Sequence, residues 1–290
     1  MATAEWAAGN NHGAREDIVS GPDTDKAFTG SIPKIYEEQF VPLIFEPYAV
    51  DLADRVASLG VTKVLEVAAG TGVATRRLAS VLPETVAIVA TDLNQAMLDL
   101  AAEIGTRRPV QWRQADALEL PFRDGEFDAV VCQFGVMFPA DKAGMFSETR
   151  RVLAPGGVFV FSVWDRIEEN EFADTVTTAL EEIFPEDPPR FMARTSHGYH
   201  DRAAIERDLK AGGFRTSPQI HTVTARSRAA SAQAVAVAYC QGSPLRNEIE
   251  ARDASRLAVA TDAAARAIAD RFGSGPVDGK IQAHIVTIMR

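Results

Sequence analysis

Nine residues, Val64-Leu65-Glu66-Val67-Ala68-Ala69-Gly70-Thr71-Gly72, leave this chain few architectures to choose from. The apolar run 64–67 reads as a buried strand, and it breaks into a small-residue turn just where helical spacing begins. Glycine at such a turn lets the backbone approach a ligand closely, and the following helix leaves its first N–H groups free there. About twenty residues on, a second apolar run, 86–90, ends in Thr91-Asp92. A carboxylate at that place can accept hydrogen bonds from both hydroxyls of a ribose. Strand, glycine turn, helix, strand and acid together predict a nucleotide site. Taken alone, the turn fits a tight strand-to-helix packing corner as well, because Thr75 stands where the dinucleotide fingerprint has its last glycine.

The alternation continues. Strands are expected near 62–68, 86–91, 110–115, 127–133 and 157–164, with helices near 71–82, 94–104 and 141–153 between them. That pattern predicts a parallel sheet covered on both faces. Before it, a helical stretch from Ile32 is interrupted by Pro42 and Pro47, and Gly60 marks its stop. After it come a helix over 169–184, the rigid loop Pro185-Glu186-Asp187-Pro188-Pro189 and a helix over 201–211. A strand over 215–224, Ala-rich helices over 229–240 and 244–272, and a last strand over 280–288 complete the chain. Two late strands with helices spliced between them predict an antiparallel edge whose insertions, near 184–200 and 229–273, cap the site. Residues 1–30, with no sustained period, are expected to be a mobile segment or a lid that orders over a ligand, leaving 31–290 as a single domain.

Charge narrows the partners. Thirty basic against forty acidic residues give a net charge of -10, which disfavours a phosphate-backbone partner. Cys132 and Cys240 supply neither a disulfide framework nor zinc-ligand spacing. No basic-then-apolar leader is visible, and no apolar run nears the ~18 residues that span a bilayer. The sequence therefore predicts a cytoplasmic protein with no nucleic-acid partner, no membrane insertion and no metal; its oligomeric state stays open.

A third site element follows the third strand, where 110–118 read Val-Gln-Trp-Arg-Gln-Ala-Asp-Ala-Leu, and Arg151-Val152-Leu153-Ala154-Pro155-Gly156-Gly157 closes the set. This ordered set, over roughly residues 60–165, resembles the class I S-adenosylmethionine-dependent methyltransferases, in particular the group around the quinone-biosynthesis (UbiE-like) C-methyltransferases. The resemblance implies a Rossmann-like, doubly wound α/β fold: a mostly parallel seven-stranded sheet with an antiparallel edge strand and helical cap insertions. It implies S-adenosyl-L-methionine as cofactor, with Glu66, Gly70 and Gly72 shaping its methionine end and Asp92 on the ribose. Leu93 would pack beside the adenine, Asp116 and Ala117 would read its edge, and Gln133 and Phe134 would lie near the sulfonium. Ala68 departs from the family, which usually has a glycine there; alanine fits provided its φ is negative.

Other residues carry two readings each. Tyr36 and Phe40 either close over the cofactor or pack a helix onto the sheet. Gln133-Phe134-Gly135-Val136-Met137-Phe138 is pocket wall or core, and Trp164 is a candidate wall. Glu66, a carboxylate inside an apolar strand, must be paired, and backbone at the turn is the expected partner. His197 and His200 are candidate general bases toward a hydroxyl, or plain loop residues; His221 and His284, in strands, read as structural or exposed, and His12 lies in the N-terminal segment. The expected activity is methyl transfer to an oxygen or carbon of a small, partly apolar molecule. An NAD(P)-dependent oxidoreductase shares the turn and the acid but lacks a Tyr-x-x-x-Lys set, and a non-catalytic nucleoside-binding regulator is the third reading.

Overall fold

A computed structural model describes residues 24–290; His12 and most of the expected mobile segment lie outside them. Seven strands form one sheet: β1 (Lys63–Val67), β2 (Ala87–Asp92), β3 (Gln111–Gln114), β4 (Phe127–Gln133), β5 (Leu153–Trp164), β6 (Gln219–Ala229) and β7 (Val277–Met289). Their spatial order is β3-β2-β1-β4-β5-β7-β6. β1 to β5 are mutually parallel, and β7 runs antiparallel to both β5 and β6. The reversed strand thus sits one place in from the edge, where it joins β6 to the parallel set. The order reverses between β1 and β4, and ligands of such sheets bind outside the strand ends at that switch point.

Each element follows from local chemistry. β1 and β4 are mainly apolar because both their faces are covered: Val64, Leu65, Ala129, Val130 and Val131 are fully buried. α1 (Ile32–Ile35) leads into a π-helical segment, Tyr36–Phe45, which contains Pro42. Its wide turn, with the Glu46 N–H donating to the Val41 carbonyl, accommodates a residue without an N–H. α2 (Glu46–Ala57) then starts with proline in its first turn and packs over α3 (Val73–Val81) and over β4 and β5. α4 (Gln95–Ile104) lies against β3, and α5 (Lys142–Val152) packs on β5.

The last third shows where boundary reading slips. β6 starts at Gln219, four residues later than expected, since Pro218 has no N–H for a ladder; it runs on to Ala229. The expected helix from 244 is two, α9 (Leu245–Asp253) and α10 (Leu257–Phe272), separated where the Asp253 carboxylate accepts the Ser255 N–H. α6 (Glu171–Ile183) and α8 (Ala232–Gln241) pack against α10, α7 (Arg202–Ala211) packs against α5, and α8 also rests on the π-helical segment. This second helical layer roofs the strand ends of the parallel sheet.

Candidate active site

Asp92 fastens the glycine turn. Its Oδ2 accepts the Gly70 N–H at 2.8 Å and its Oδ1 accepts the Asn94 N–H at 2.8 Å. Burial raises this carboxyl above its usual range, and the same backbone donors pull it back down. Oδ1 also accepts a longer bond from the Asn94 side-chain amide at 3.4 Å, so Oδ2 keeps a lone pair for a further donor and Oδ1 gains one only by releasing that weak contact.

The two glycines of the turn do different things. A Cβ at Gly70, where φ is +56°, would meet nothing nearer than the Met97 methyl at 3.6 Å and the Tyr36 hydroxyl at 3.8 Å. A Cβ at Gly72, where φ is +84°, would lie 2.9 Å from the Trp112 ring. At Gly70 it is the positive φ and not a clash that calls for glycine, whereas Gly72 also lets the turn close against the Trp112 ring of β3. Ala68 overturns the expectation of a negative φ. Its φ is +55°, and Phe134 across from it also has +55°. Two non-glycine residues in the left-handed region, each strained by about 1–2 kcal/mol, flank one cleft, which is where such strain collects.

Glu66 also differs from expectation. It is 1% exposed, and its Oε2 accepts the Thr75 hydroxyl at 2.5 Å, a side-chain partner on α3 rather than turn backbone. Burial pushes its carboxyl up to about 8 from 4.5, against the pull of Thr75 and Arg76. The folded state therefore holds this proton more tightly than the unfolded chain does. Glu66 stabilises the fold fully below about pH 4.5, and that contribution is lost as pH rises toward 8. Thermal melts should show a Glu66→Gln variant losing less stability between pH 5 and 9 than its parent, the difference being on the order of a few kcal/mol. Parallel pH curves would show that Glu66 is ionised throughout.

In front of the turn lies a cleft of about 1260 Å³, continuous with solvent at its mouth. One half is built from strand ends: Gly70, Asp92, Leu93, Asp116, Ala117 and Gln133 all line it. Gln133 donates its amide to the Phe45 carbonyl at 3.2 Å, and its buried Oε1 has no partner among the described residues. The other half is aromatic. Tyr36, Phe40 and Phe45 come from the π-helical segment, Phe134 and Trp164 stack with centroids 3.8 Å apart, and Tyr239 descends from α8. Glu66, Gly72 and His200 do not line the cleft.

Of the candidate histidines, only His197 reaches this space. It is 5% exposed and follows a π-helical turn, Met192–Ser196. Its Nδ1–H donates to the Asp165 carbonyl at 2.8 Å, which leaves Nε2 as the acceptor of the neutral ring. Burial pushes its pKa down to about 4, so the ring is neutral at physiological pH. His200 is half-buried, and its Nδ1–H donates to the His197 carbonyl at 2.8 Å, bracing the loop from behind. The aromatic half was the less legible one, since Phe28, Phe191 and Tyr239 come from three distant segments and none belongs to a motif.

Comparison with known proteins accords with this geometry. Residues 65–161, which supply the strand-end half of the cleft, match the methyltransferase domain family. The chain carries a methyltransferase domain over those residues and resembles the class I S-adenosylmethionine-dependent methyltransferases. A ubiquinone/menaquinone biosynthesis C-methyltransferase, UbiE, of Saccharophagus degradans is 27% identical over 56% of this methyltransferase and 70% of its own length. A demethylmenaquinone methyltransferase of Deinococcus radiodurans is 39% identical over 38% of this chain and 53% of its own. Against the UbiE protein of Ectopseudomonas mendocina the chain spans 39% of the relative. Among solved structures, a phosphoethanolamine N-methyltransferase of Haemonchus contortus, held with phosphomonomethylethanolamine and S-adenosylhomocysteine, superposes with a TM-score of 0.57. It is 18% identical and covers 93% of this chain and 60% of its own. The YcgJ protein of Bacillus subtilis gives 0.52, with 16% identity over 84% of this chain and 98% of its own. Both likenesses concern the fold.

The residues present suit S-adenosylmethionine. The methyltransferase offers an acid for hydroxyl donors at the end of β2, an orphaned buried carbonyl at Gln133 and an uncluttered Gly70 between them. The strand-end polar groups and the aromatic side chains border one continuous cleft, so a cofactor on the first would have the second beside it. Among the described residues no helix is long and apolar enough to cross a membrane, and no group of three or more His, Cys, Asp or Glu side chains is placed to hold a metal.

Proposed function

We propose that this enzyme transfers a methyl group from S-adenosylmethionine to an oxygen or carbon atom of a small, partly apolar molecule held in the aromatic half of the cleft. The observation that carries the reading is that one cleft joins the strand-end polar groups to an aromatic chamber under the helical roof. In this reading Asp92 takes the ribose hydroxyls, and Leu93, Asp116 and Ala117 border the adenine. Gly70, Gln133, Phe134 and Tyr36 surround the methionine end, with Glu66 and Gly72 shaping the turn from behind. When bound, the cofactor supplies a methyl carbon already activated by its sulfonium. The chain's own task is then alignment and exclusion of water, which can supply about 7–11 kcal/mol of rate enhancement. The net charge of -10 supports a small-molecule acceptor over nucleic acid, and the two free, buried cysteines suit the cytoplasm.

His197 is the proton acceptor in this proposal, and His200 its neighbour. The test is transfer of labelled methyl into a panel of phenols, hydroxylated quinols and alcohols, with protein and RNA as comparisons. His197→Ala should leave S-adenosylhomocysteine affinity unchanged and lower turnover by about 100-fold or more. Label entering only the macromolecules would contradict the small-molecule reading, and an unchanged rate would remove His197 from the chemistry.

A further inference from the structure

Residues 25–28 run beside the cleft, and both Lys26 and Phe28 line it. They carry little regular structure, a single 3-10 turn over Thr24–Lys26, so side chains hold them in place. The strongest tie is ionic. Arg194 donates Nη1 to Asp25 Oδ2 at 2.6 Å and Nη2 to Asp25 Oδ1 at 2.9 Å, and the Thr195 hydroxyl donates to the same carboxylate at 2.7 Å. The Asp25 side chain is only 5% exposed. A carboxylate that deeply covered depends on its partners.

The same guanidinium reaches the roof. Its Nη2 also donates to Glu248 Oε1 on α9 at 2.7 Å, and Glu248 Oε2 accepts the Arg190 and Phe191 N–H groups. Asn247 donates to the Ala27 carbonyl at 3.1 Å. At the opposite side of the mouth the ties weaken. The Phe28 N–H reaches Asn94 Oδ1 at 3.4 Å, and the Phe28 ring meets Tyr36 and Phe138 edge-on, with centroids 5.8 and 6.2 Å away. Asn94 is itself bound to Asp92. One line of contacts therefore runs from the acid at the end of β2, through residues 25–28, to the roof.

We propose that residues 25–28 are a strap that gates the cleft and that the Asp25–Arg194 pair is its latch. Closed, the strap covers ligands and excludes water; released, it opens the mouth without disturbing the sheet, since none of its ties belongs to a strand ladder. Because Asn94 joins the strap to Asp92, a ligand on Asp92 favours the closed state. Only this last link rests on the proposed cofactor site.

A lysine-specific protease reads the gate directly, because Lys26 lies within the strap. Formation of the fragment beginning at Ala27, followed by mass spectrometry, reports how often the strap opens. Asp25→Asn should speed this cleavage in the ligand-free protein by about tenfold, equivalent to ~1.4 kcal/mol, with a melting temperature near that of the parent. Arg194→Lys, which keeps the charge and loses the two-pronged contact, should act in the same direction. In the parent, S-adenosylhomocysteine should slow the cut, and its dissociation by stopped flow should be faster from Asp25→Asn. Equal cleavage of parent and both variants without ligand would overturn the latch. Protection by S-adenosylhomocysteine that fails while the variants still open faster would refute the cofactor link alone.

Discussion

Gly135→Ala is expected to lower stability by several kcal/mol and to abolish cofactor binding. Gly135 follows Phe134 directly at the end of β4, and a Cβ there would lie 2.5 Å from the Ala68 Cβ and 2.6 Å from the Cys132 Sγ. Neither neighbour can swing aside: one methyl is fixed to backbone, and Cys132 is fully buried. The turn after β1 or the turn after β4 must move. Overpacking of this kind typically costs about 1–3 kcal/mol and sometimes more, a drop of roughly 2–5 °C in melting temperature for a chain of this size. Both turns line the cleft, so binding should suffer beyond stability. Ala68→Gly offers the control, since it deletes the closer obstructing methyl and relieves the left-handed backbone at residue 68. Alone it should be nearly neutral, the relief of strain offsetting glycine's backbone entropy of about 0.5–1 kcal/mol. Combined with Gly135→Ala it should restore part of the loss. Additive effects in the double variant would contradict the contact.

Asp92→Ala should weaken S-adenosylhomocysteine binding on the order of 100-fold by calorimetry. Two charge-assisted hydrogen bonds to a ribose account for about 3 kcal/mol, and each 1.4 kcal/mol is tenfold in affinity. The structure adds a second consequence. Without the carboxylate, the Gly70 and Asn94 N–H groups lose their acceptor, so the turn should loosen and the melting temperature fall. Asp92→Asn separates the two effects: it keeps one accepting oxygen and should retain more stability than alanine while binding weakly. Unchanged affinity in both variants would remove Asp92 from the cofactor site.

The strand-end half of the cleft was legible because each part sits at a strand end within a short, ordered stretch of chain. Strand alternation by itself puts Asp92, Asp116 and Gln133 at or just beyond the C-terminal ends of β2, β3 and β4. Details that depend on contact across the fold were not legible. The positive φ of Ala68 arises from how β1 leaves the sheet beside Gly135, and the partner of Glu66 sits nine residues away on α3. The aromatic chamber was least legible of all. Phe28, Phe191 and Tyr239 meet only because α8, α9 and the Met192–Ser196 turn fold back over the strand ends, and no local periodicity encodes that return. The two histidines that flank Gly198-Tyr199 looked equivalent in sequence; burial and one carbonyl separate them.

The most direct test of the central claim is calorimetric titration of the purified protein with S-adenosylhomocysteine and, under identical conditions, with NAD, alongside mass spectrometry of whatever ligand the fresh protein releases. S-adenosylhomocysteine should bind with one-to-one stoichiometry and NAD should not, and any ligand released should be S-adenosylmethionine or its demethylated product. Binding of NAD with no response to S-adenosylhomocysteine would contradict the assignment of this cleft.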